Sequence, residues 1–314
     1  MLKSVKTRFR AYQLKCAGAS YSYFADGHFT LIEAMATDSN KDQIFAEMHE
    51  CGKKTIDTLH ITGWDNDHCS VSGLAWILEN LRPRRIEYPG YDHDTDCAKT
   101  CKKMILDYVS AQRARVASAQ RIDPPYINGL KPHEGAGYSD IFYHPKEEQN
   151  NSNDNSTIKF FRRGSFNVLS LGDVQCPNIS SMIRRAARVK AETDILILAH
   201  HGADNGFTTK KFLEEVKPSI AICTSNYGNH HDHPRQEIRD LLYEQGIPIY
   251  TTKTGDVIIE SIAGHSEQYQ VTNLFADSTK AKPPKQFRAR KARLLRMNND
   301  TIRAGIHGKR YGPR

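Results

Sequence analysis

The 314-residue sequence lacks a run of about 18 consecutive apolar residues, so no segment of it has the composition of a membrane-crossing helix. Residues 1–10 also lack the apolar core of a secretory signal peptide. The seven cysteines are odd in number and irregularly spaced, which excludes the disulfide framework of a small secreted domain. Cys97 and Cys101 have no second pair to complete a zinc site, and we interpret them as structural. These absences predict a cytoplasmic protein.

Hydrophobic residues make up only 39% of the chain, which indicates that part of it does not join a core. Positive charge is concentrated near the C-terminus, where residues 280–314 contain 12 Lys and Arg and one acid, Asp300. The other residues carry 32 basic and 35 acidic side chains, although the net charge of the whole chain is +8. We therefore expect one α/β domain over residues 1–275 and a basic C-terminal extension over residues 276–314.

Residues 63–68 form a Gly-x-Asp-x-Asp-His loop that contains Asp65, Asp67 and His68. Residues 53–62 before the loop are rich in β-branched and apolar residues, which predicts a buried strand. Residues 69–78 after it predict a helix with Ser70 as the N-cap. Two carboxylates and an imidazole at the carboxyl end of a strand indicate a ligand site, because a bound cation would neutralise them. A polar surface turn with an aspartate cap is the alternative.

Later predicted strands also end in side chains that can bind a metal. The strand over residues 166–171 is followed by Asp173, the strand over 194–199 by His200 and His201, and the strand over 219–223 by a histidine-rich stretch that contains His230, His231 and His233. Each has an ordinary explanation alone, such as a helix cap, a turn or a solvated loop. Because strands of a layered α/β fold end at a common edge, together they predict a hydrolytic zinc or manganese site.

The order of these motifs resembles the metallo-β-lactamase fold, and above all the metallo-hydrolase domain of ComEC-type DNA-uptake proteins. That branch has a His-x-Asp-x-Asp-His loop, an Asn-containing segment, Gly-Asp, His-His-Gly, and an Asn/Tyr-Gly stretch before His-Pro. The similar stretches here are residues 63–68, 153–156, 172–173, 200–202 and 227–234. The resemblance spans residues 5–275 and implies an α/β fold, a four-layer αββα sandwich with two mixed β-sheets. It also implies a divalent metal, Zn²⁺ or Mn²⁺, and a phosphodiester substrate.

The resemblance further implies roles for the candidate residues. One ion would be held by Asp67, His68, Asp173 and one of the pair His200 and His201. Asp65 would help to hold a second ion or orient the attacking water. His233 would donate a proton to the leaving group or bind a phosphate, since histidine titrates near neutral pH.

Gly63 departs from the family pattern, because it stands where the family has the first histidine of the loop. We therefore expect one well-held ion and a weak or empty second site. His60, three residues upstream, is a candidate substitute for the missing ligand. Glu33 stands where the family usually has an aspartate that supports a ligand.

The basic extension predicts contact with nucleic acid, because its cations can neutralise phosphates and release counterions. The candidate residues are Lys285, Arg288, Arg290, Lys291, Arg293 and Arg296. A solvated tail, or a partner-binding stripe of Leu294, Leu295 and Met297, is the alternative.

Three functions are consistent with the sequence. The favoured one is a metal-dependent nuclease or phosphodiesterase acting on DNA or RNA. The second is a metallo-hydrolase of small esters, lactones or nucleotides. The third is a degenerate, non-catalytic module that binds nucleic acid or protein, which Gly63 favours.

Overall fold

Two mixed β-sheets form the middle of the structure, a computed structural model that describes residues 4–111, 117–130, 139–228, 230–276 and 278–293. The strands are β1 (Thr7–Ala11), β2 (Tyr21–Ala25), β3 (His28–Ile32), β4 (Thr58–His60), β5 (Arg85–Pro89), β6 (Ser118–Ile122), β7 (Ile141–His144), β8 (Ile158–Phe161), β9 (Val168–Ser170), β10 (Ile195–Ile197), β11 (Ile220–Cys223), β12 (Ile249–Thr251), β13 (Val257–Ile262), β14 (Gln268–Asn273) and β15 (Lys285–Arg288). The helices are α1 (Lys41–Glu50), α2 (Val71–Asn80), α3 (Asp96–Ala111), α4 (Pro124–Gly129), α5 (Pro177–Arg185), α6 (Ala187–Glu192), α7 (Lys210–Val216) and α8 (Gln236–Glu244).

The larger sheet has nine strands in the order β15-β14-β13-β1-β2-β3-β4-β5-β6, and the smaller has six in the order β12-β11-β10-β9-β8-β7. In the larger sheet β3 to β6 run parallel, while β1 pairs antiparallel with both β2 and β13. In the smaller sheet β9 to β12 run parallel. The parallel strands of each sheet therefore end along a common edge, where loops can gather side chains.

Three apolar cores separate four layers. One lies between the sheets and contains Phe9, Phe161 and Ile197. A second joins the outer face of the larger sheet to α1, α2 and α3, and a third joins the outer face of the smaller sheet to α5, α6, α7 and α8. The predicted αββα sandwich with two mixed sheets is confirmed. None of the described helices combines the length and the apolar character that crossing a bilayer requires.

Local sequence signals explain several elements. The β2–β3 hairpin turns at Asp26 and Gly27, which have φ values of 52° and 74°, as a two-residue hairpin turn requires. The Ser70 side chain accepts a hydrogen bond from the Gly73 N–H and caps α2, as the sequence predicts. β10 is apolar throughout because both of its faces are buried.

Two predicted elements differ from the structure. The strand expected over residues 53–62 pairs in the sheet only at Thr58–His60. The stretch of residues 179–191, whose sequence predicts a single basic helix, breaks at Ala186, whose ψ is 117°, into α5 and α6. The break lets Ile183 and Val189 pack into the same core from two short helices.

The packed part of the chain extends to residue 293, beyond the expected domain end at residue 275. β15 pairs with β14, and Ala289 and Ala292 lie in the core between the sheets. The Arg290 guanidinium donates hydrogen bonds to the carbonyls of Val216 and Lys217, each at 2.6 Å.

The buried Lys291 ammonium donates to the carbonyls of Arg162 (2.8 Å) and Gly164 (2.5 Å), and burial lowers the pKa of Lys291 to about 8. Of the expected nucleic-acid ligands, Lys291 is therefore buried within the fold, and Arg290 is partly buried and anchors the segment to backbone carbonyls. Lys285, Arg288 and Arg293 are exposed, and Arg296 lies outside the described residues.

Lys291→Ala should lower the free energy of unfolding by about 1–3 kcal/mol, because it leaves buried carbonyls without a donor. Lys285→Ala removes the same charge from the exposed part of β15 and should change stability by no more than about 0.5 kcal/mol. Urea unfolding of both variants, with the dependence on denaturant compared as well as the midpoint, measures the difference. Equal midpoints would show that Lys291 does not anchor the segment.

Candidate metal centre

Four side chains from three strand ends converge at one edge of the sandwich. Asp67 and His68 follow β4, Asp173 follows β9 and His201 follows β10, and one ligand atom from each lies within 4.8 Å of the others. His68 Nε2 is 2.9 Å from Asp173 Oδ1, and His201 Nε2 is 3.4 Å from Asp67 Oδ2. The Thr157 N–H donates to the Thr62 carbonyl at 2.9 Å and joins the two sheets near this edge. The structure thus brings together groups that are up to 134 residues apart in the chain.

The loop of residues 63–68 is held in place by the Trp64 side chain and by backbone hydrogen bonds. Trp64 is buried and donates through Nε1 to the Tyr91 carbonyl and through its backbone N–H to the Tyr91 hydroxyl, both at 3.1 Å. The backbone carbonyls of Asp67 and His68 accept the N–H groups of Ala19 (2.9 Å) and Ala34 (2.7 Å). The two adjacent site residues are therefore held at the backbone as well as through their side chains.

Both imidazoles are oriented through Nδ1. His68 Nδ1 lies 3.2 Å from both the Thr62 hydroxyl and the Glu33 carboxylate, and the Thr62 hydroxyl donates to Glu33 at 2.6 Å. His201 Nδ1 lies 3.1 Å from both the carbonyl and the hydroxyl oxygen of Thr224. These contacts aim each Nε2 towards the two aspartates.

The backbone at the His-His-Gly turn is left-handed at three consecutive residues. His200, His201 and Gly202 have φ values of 46°, 52° and 80°. For the two histidines such a conformation costs about 1–3 kcal/mol each, and residues of this kind cluster at functional sites. Gly202 is also required by space, because a Cβ there would lie 2.8 Å from Pro234 Cβ. The His200 N–H donates to the Gly172 carbonyl at 3.0 Å, which ties the turn to the Asp173 loop.

Opposite charges dominate the electrostatics of the cluster. Burial by itself disfavours every charged form here, yet the pKa of His68 is well above its usual value because Asp173 and Glu33 are close. Burial also raises the pKa of Asp67, but the neighbouring His201 and His68 outweigh this effect and lower the pKa to about 2. The pKa of Asp173 lies below its usual range for the same reason. The two aspartates thus attract positive charge into a buried space.

Other expected site residues lie around this cluster but outside it. His200 does not join the four-atom group, so His201 is the member of the pair that faces the aspartates. The His233 ring stacks on His201 with centroids 6.3 Å apart and meets His200 edge-on at 5.9 Å. Burial and then the neighbouring His201 and His200 lower the pKa of His233 to about 4, so its ring is neutral at pH 7.

His60 does not replace the missing histidine of the loop. Its Nδ1 lies 3.0 Å from Glu87, and its ring packs against Phe142 and Phe161. The reason is geometric, because side chains of a strand alternate between faces and His60 points between the sheets. The suggestion that His60 supplies the ligand was therefore wrong.

The space beside Gly63 is lined by oxygen atoms. A Cβ placed on Gly63 would lie 3.5 Å from Ser156 Oγ and 3.8 Å from both Asp65 Oδ2 and the Tyr91 hydroxyl. Asp65 Oδ2 and Ser156 Oγ are buried and have no hydrogen-bond partner among the described residues. The other oxygen of Asp65 is 3.5 Å from His93 Nε2.

The sequence patterns did not single out four residues near the cluster: Thr62, Thr224, Tyr91 and His93. His93 and Tyr91 follow β5. They could have been found in the same way as Asp173, because residues that follow parallel strands gather at one edge of the sheet. Thr62 and Thr224 carry no such signal, since a threonine after a strand is common.

No protein-family model matches the chain. The competence protein ComA of Neisseria gonorrhoeae is 27% identical to this chain over 112 residues, which are 35% of this chain and 16% of ComA. The solved structures found include the metallo-β-lactamase fold protein YhfI of Bacillus subtilis, with 12% identity over 81% of this chain and 100% of YhfI and a TM-score of 0.47. They also include Igni18, a metallo hydrolase of Ignicoccus hospitalis, with 10% identity over 81% of this chain and 98% of Igni18 and a TM-score of 0.49.

Proposed function

We propose that the protein is a metal-dependent hydrolase that cleaves phosphodiesters, with DNA or RNA as its substrate. The observation that carries this proposal is the convergence of Asp67, His68, Asp173 and His201 within 4.8 Å at the ends of three strands. An arrangement of carboxylate and imidazole ligands with room for further ligands is typical of hydrolytic metal sites.

The residues present fit a divalent ion. His68 Nε2 and His201 Nε2 are buried and lie 2.9 Å and 3.4 Å from a carboxylate oxygen, but neither makes a well-aligned hydrogen bond among the described residues. Metal-binding histidines are commonly fixed through the other ring nitrogen, as Thr62 and Thr224 fix these two. Two nitrogen and two carboxylate donors suit Zn²⁺ or Mn²⁺.

When bound, such an ion activates a water molecule and offsets negative charge on the substrate phosphate. The chain supplies the other functions. The Asp65 carboxylate, with one oxygen buried and unsatisfied, is placed to accept a hydrogen bond from a water or to share a second ion. His233 lies beside His201 and is neutral at pH 7, so it can donate an N–H hydrogen bond to the substrate phosphate, but its low pKa does not suit the role of proton donor to the leaving group.

Nucleic acid is favoured over small substrates by charge and by resemblance. Lys285, Arg288 and Arg293 are exposed at the end of the described chain and offer cations to a phosphate backbone. The resemblance to ComEC-type DNA-uptake proteins and the match to a competence protein favour DNA.

A non-catalytic binding module is the second candidate, and Gly63 is the observation that favours it. The space beside Gly63 offers an ion the carboxylate of Asp65 and the hydroxyls of Ser156 and Tyr91, but no imidazole. An enzyme with one metal ion must hold that ion in the cluster and turn over substrate. A degenerate module lacks turnover, with or without a bound ion. Metal content and hydrolysis rate therefore distinguish the two.

Asp67→Ala should abolish metal binding and slow hydrolysis of bis(p-nitrophenyl) phosphate by at least about 10–100-fold, the loss common even for residues that only support a ligand. Asp94→Ala, which removes a fully exposed carboxylate, is the matched control and should change neither quantity. Elemental analysis of protein purified without added metal, with a rate assay, gives both. Full metal content in Asp67→Ala would refute the assigned ligand set, and metal binding without turnover in the unaltered protein would favour the binding module.

Gly63→His should raise the metal content above that of the unaltered protein, because it restores an imidazole beside Asp65. A Cβ at Gly63 would meet its neighbours at ordinary contact distances, so the backbone there accepts a side-chain-bearing residue. Gly63→Ala fills the same space without a ligand and should leave the metal content unchanged. Two tightly held ions per chain in the unaltered protein would contradict the expectation of a weak site beside Gly63.

Replacing Lys285, Arg288 and Arg293 with alanine should weaken binding to a single-stranded oligonucleotide. The slope of log affinity against log salt should fall by about 0.7–0.9 for each phosphate that the protein then leaves without a cation. Point substitutions are needed because deletion of residues 280–314 would also remove β15 and Lys291.

Removal of three other exposed cations, Lys99, Lys103 and Lys210, is the charge-matched control for this experiment. Hydrolysis of the small phosphodiester should be the same in both triple variants. If both show the same salt slope, the C-terminal cations do not bind nucleic acid, and the partner-binding stripe of Leu294, Leu295 and Met297 becomes the better interpretation.

A further inference from the structure

A second, polar cavity lies between the sheets at the ends of the strands opposite the metal centre. Its walls include the first residues of the parallel strands β3, β4 and β5, namely His28, Thr58 and Arg85, whereas the metal centre follows the last residues. Strands β7 and β8 close it from the other sheet with Phe142 and Lys159. We call it the distal cavity. Its volume is about 950 Å³, near the upper end of the range of about 300–1,000 Å³ common for small-molecule sites.

The interior of the sandwich changes character at this cavity. Elsewhere the space between the sheets is filled by apolar side chains such as Phe9, Val168 and Ile259. In β5, by contrast, Ile86 packs outward against helices while Arg85 and Glu87 line the space between the sheets. Charged groups between two sheets cost stability unless they are paired or serve a ligand.

The pairing that is present leaves positive charge in excess. Glu87 is buried, and its carboxylate lies 2.7 Å from Lys159 Nζ and 3.1 Å from Arg85 Nε. Burial opposes its ionisation, but Lys159 keeps the pKa of Glu87 well below its usual value. One carboxylate therefore serves two cations. Asp140, 3.4 Å from Arg163 Nε, is the second acid in the wall.

The lining thus contains more cations than acids. Among the described residues its basic side chains are Arg85, Lys146, Lys159, Arg163 and Arg188, against the carboxylates of Glu87 and Asp140. Lys146 is exposed at the rim, and the Arg163 side chain is 45% exposed. An anion entering the cavity would meet the rim cations first and the buried Lys159 last.

Aromatic rings occupy the same wall. Tyr126 and Phe142 are partly exposed and meet edge-to-face with centroids 5.9 Å apart. The Arg85 guanidinium reaches the Tyr126 hydroxyl at 3.4 Å. Aromatic rings next to arginine and lysine suit a ligand that has both a flat ring and phosphate groups.

We propose that the distal cavity is a binding site for a nucleoside phosphate, separate from the metal centre. The phosphates are bound by Arg163 and Lys146 at the rim, and the base lies against Tyr126 and Phe142. The site does not depend on the proposed hydrolase activity, because it shares no residue with the metal centre.

The test is isothermal titration of the full chain with ADP, adenosine and pyrophosphate, in buffer with a chelator so that no metal takes part. ADP should bind with a dissociation constant of about 1 mM or less, since about 1 mM is the upper end of the range common for enzymes and their substrates. It should bind at least about tenfold more tightly than adenosine or pyrophosphate, because each of these lacks half of the contacts. Asp67→Ala should bind ADP as the unaltered protein does.

Arg163→Ala and Lys146→Ala should each weaken ADP binding by about tenfold through the loss of a charged contact. Lys210→Ala is the matched control, since Lys210 is 58% exposed, begins α7 and does not line the distal cavity. It should bind ADP normally. Metal content and phosphodiester hydrolysis should be unchanged in Arg163→Ala, so a failure of this proposal is distinguishable from a failure of the proposed function.

Four results would overturn the proposal. One is no heat of ADP binding up to about 1 mM. Another is loss of ADP binding in Asp67→Ala, which would place the nucleotide at the metal centre. The third is Arg163→Ala binding ADP as tightly as Lys210→Ala does. Pyrophosphate binding as tightly as ADP would likewise exclude a nucleoside ligand and leave a simple phosphate site.

Discussion

The close approach of two carboxylates, the buried Asp173 and the partly exposed Asp67, is the constraint on which the rest of the site depends. Buried charges of one sign are costly unless opposite charge is close. His68 and His201 lie between the two aspartates and meet this need, and a divalent ion would meet it more fully. The Thr62–Glu33 contact and the left-handed turn at His200 and His201 follow from the need to aim the imidazoles. The strain in that turn is sustained by the packed strands on either side.

Much of the fold is predictable from local pattern. The Asp26-Gly27 hairpin, the Ser70 cap and the apolar β10 could be predicted because each depends on neighbours in sequence. The strand-end rule also located Asp67, His68 and Asp173, since parallel strands finish along one edge. It could not choose between His200 and His201, because that choice depends on three consecutive left-handed residues. Nor could it place Lys291, whose carbonyl partners lie more than 120 residues away.

The alternation of apolar and charged side chains in β5 predicts the wrong orientation of the strand if the charged side chains are assumed to face water. Ile86 alternates with Arg85 and Glu87, and a solvent-covered sheet would turn the charged pair outward. Here helices cover the outer face, so the charged residues turn inward to the distal cavity. A strand between two covering layers has no solvent face. Its polar residues then mark an internal site rather than the surface.

The pairing of β1 with β13 has a consequence for the order in which the protein can be assembled. Arg8 on β1 contacts Glu260 on β13, 252 residues later in the chain. At a synthesis rate of about 5–20 residues per second, β1 waits roughly 10–50 s on the ribosome before its partner exists. Its hairpin neighbour β2 arrives almost at once and protects one edge, while the other edge stays open. A chaperone that covers an exposed strand edge near the N-terminus would therefore have a defined window in which to act.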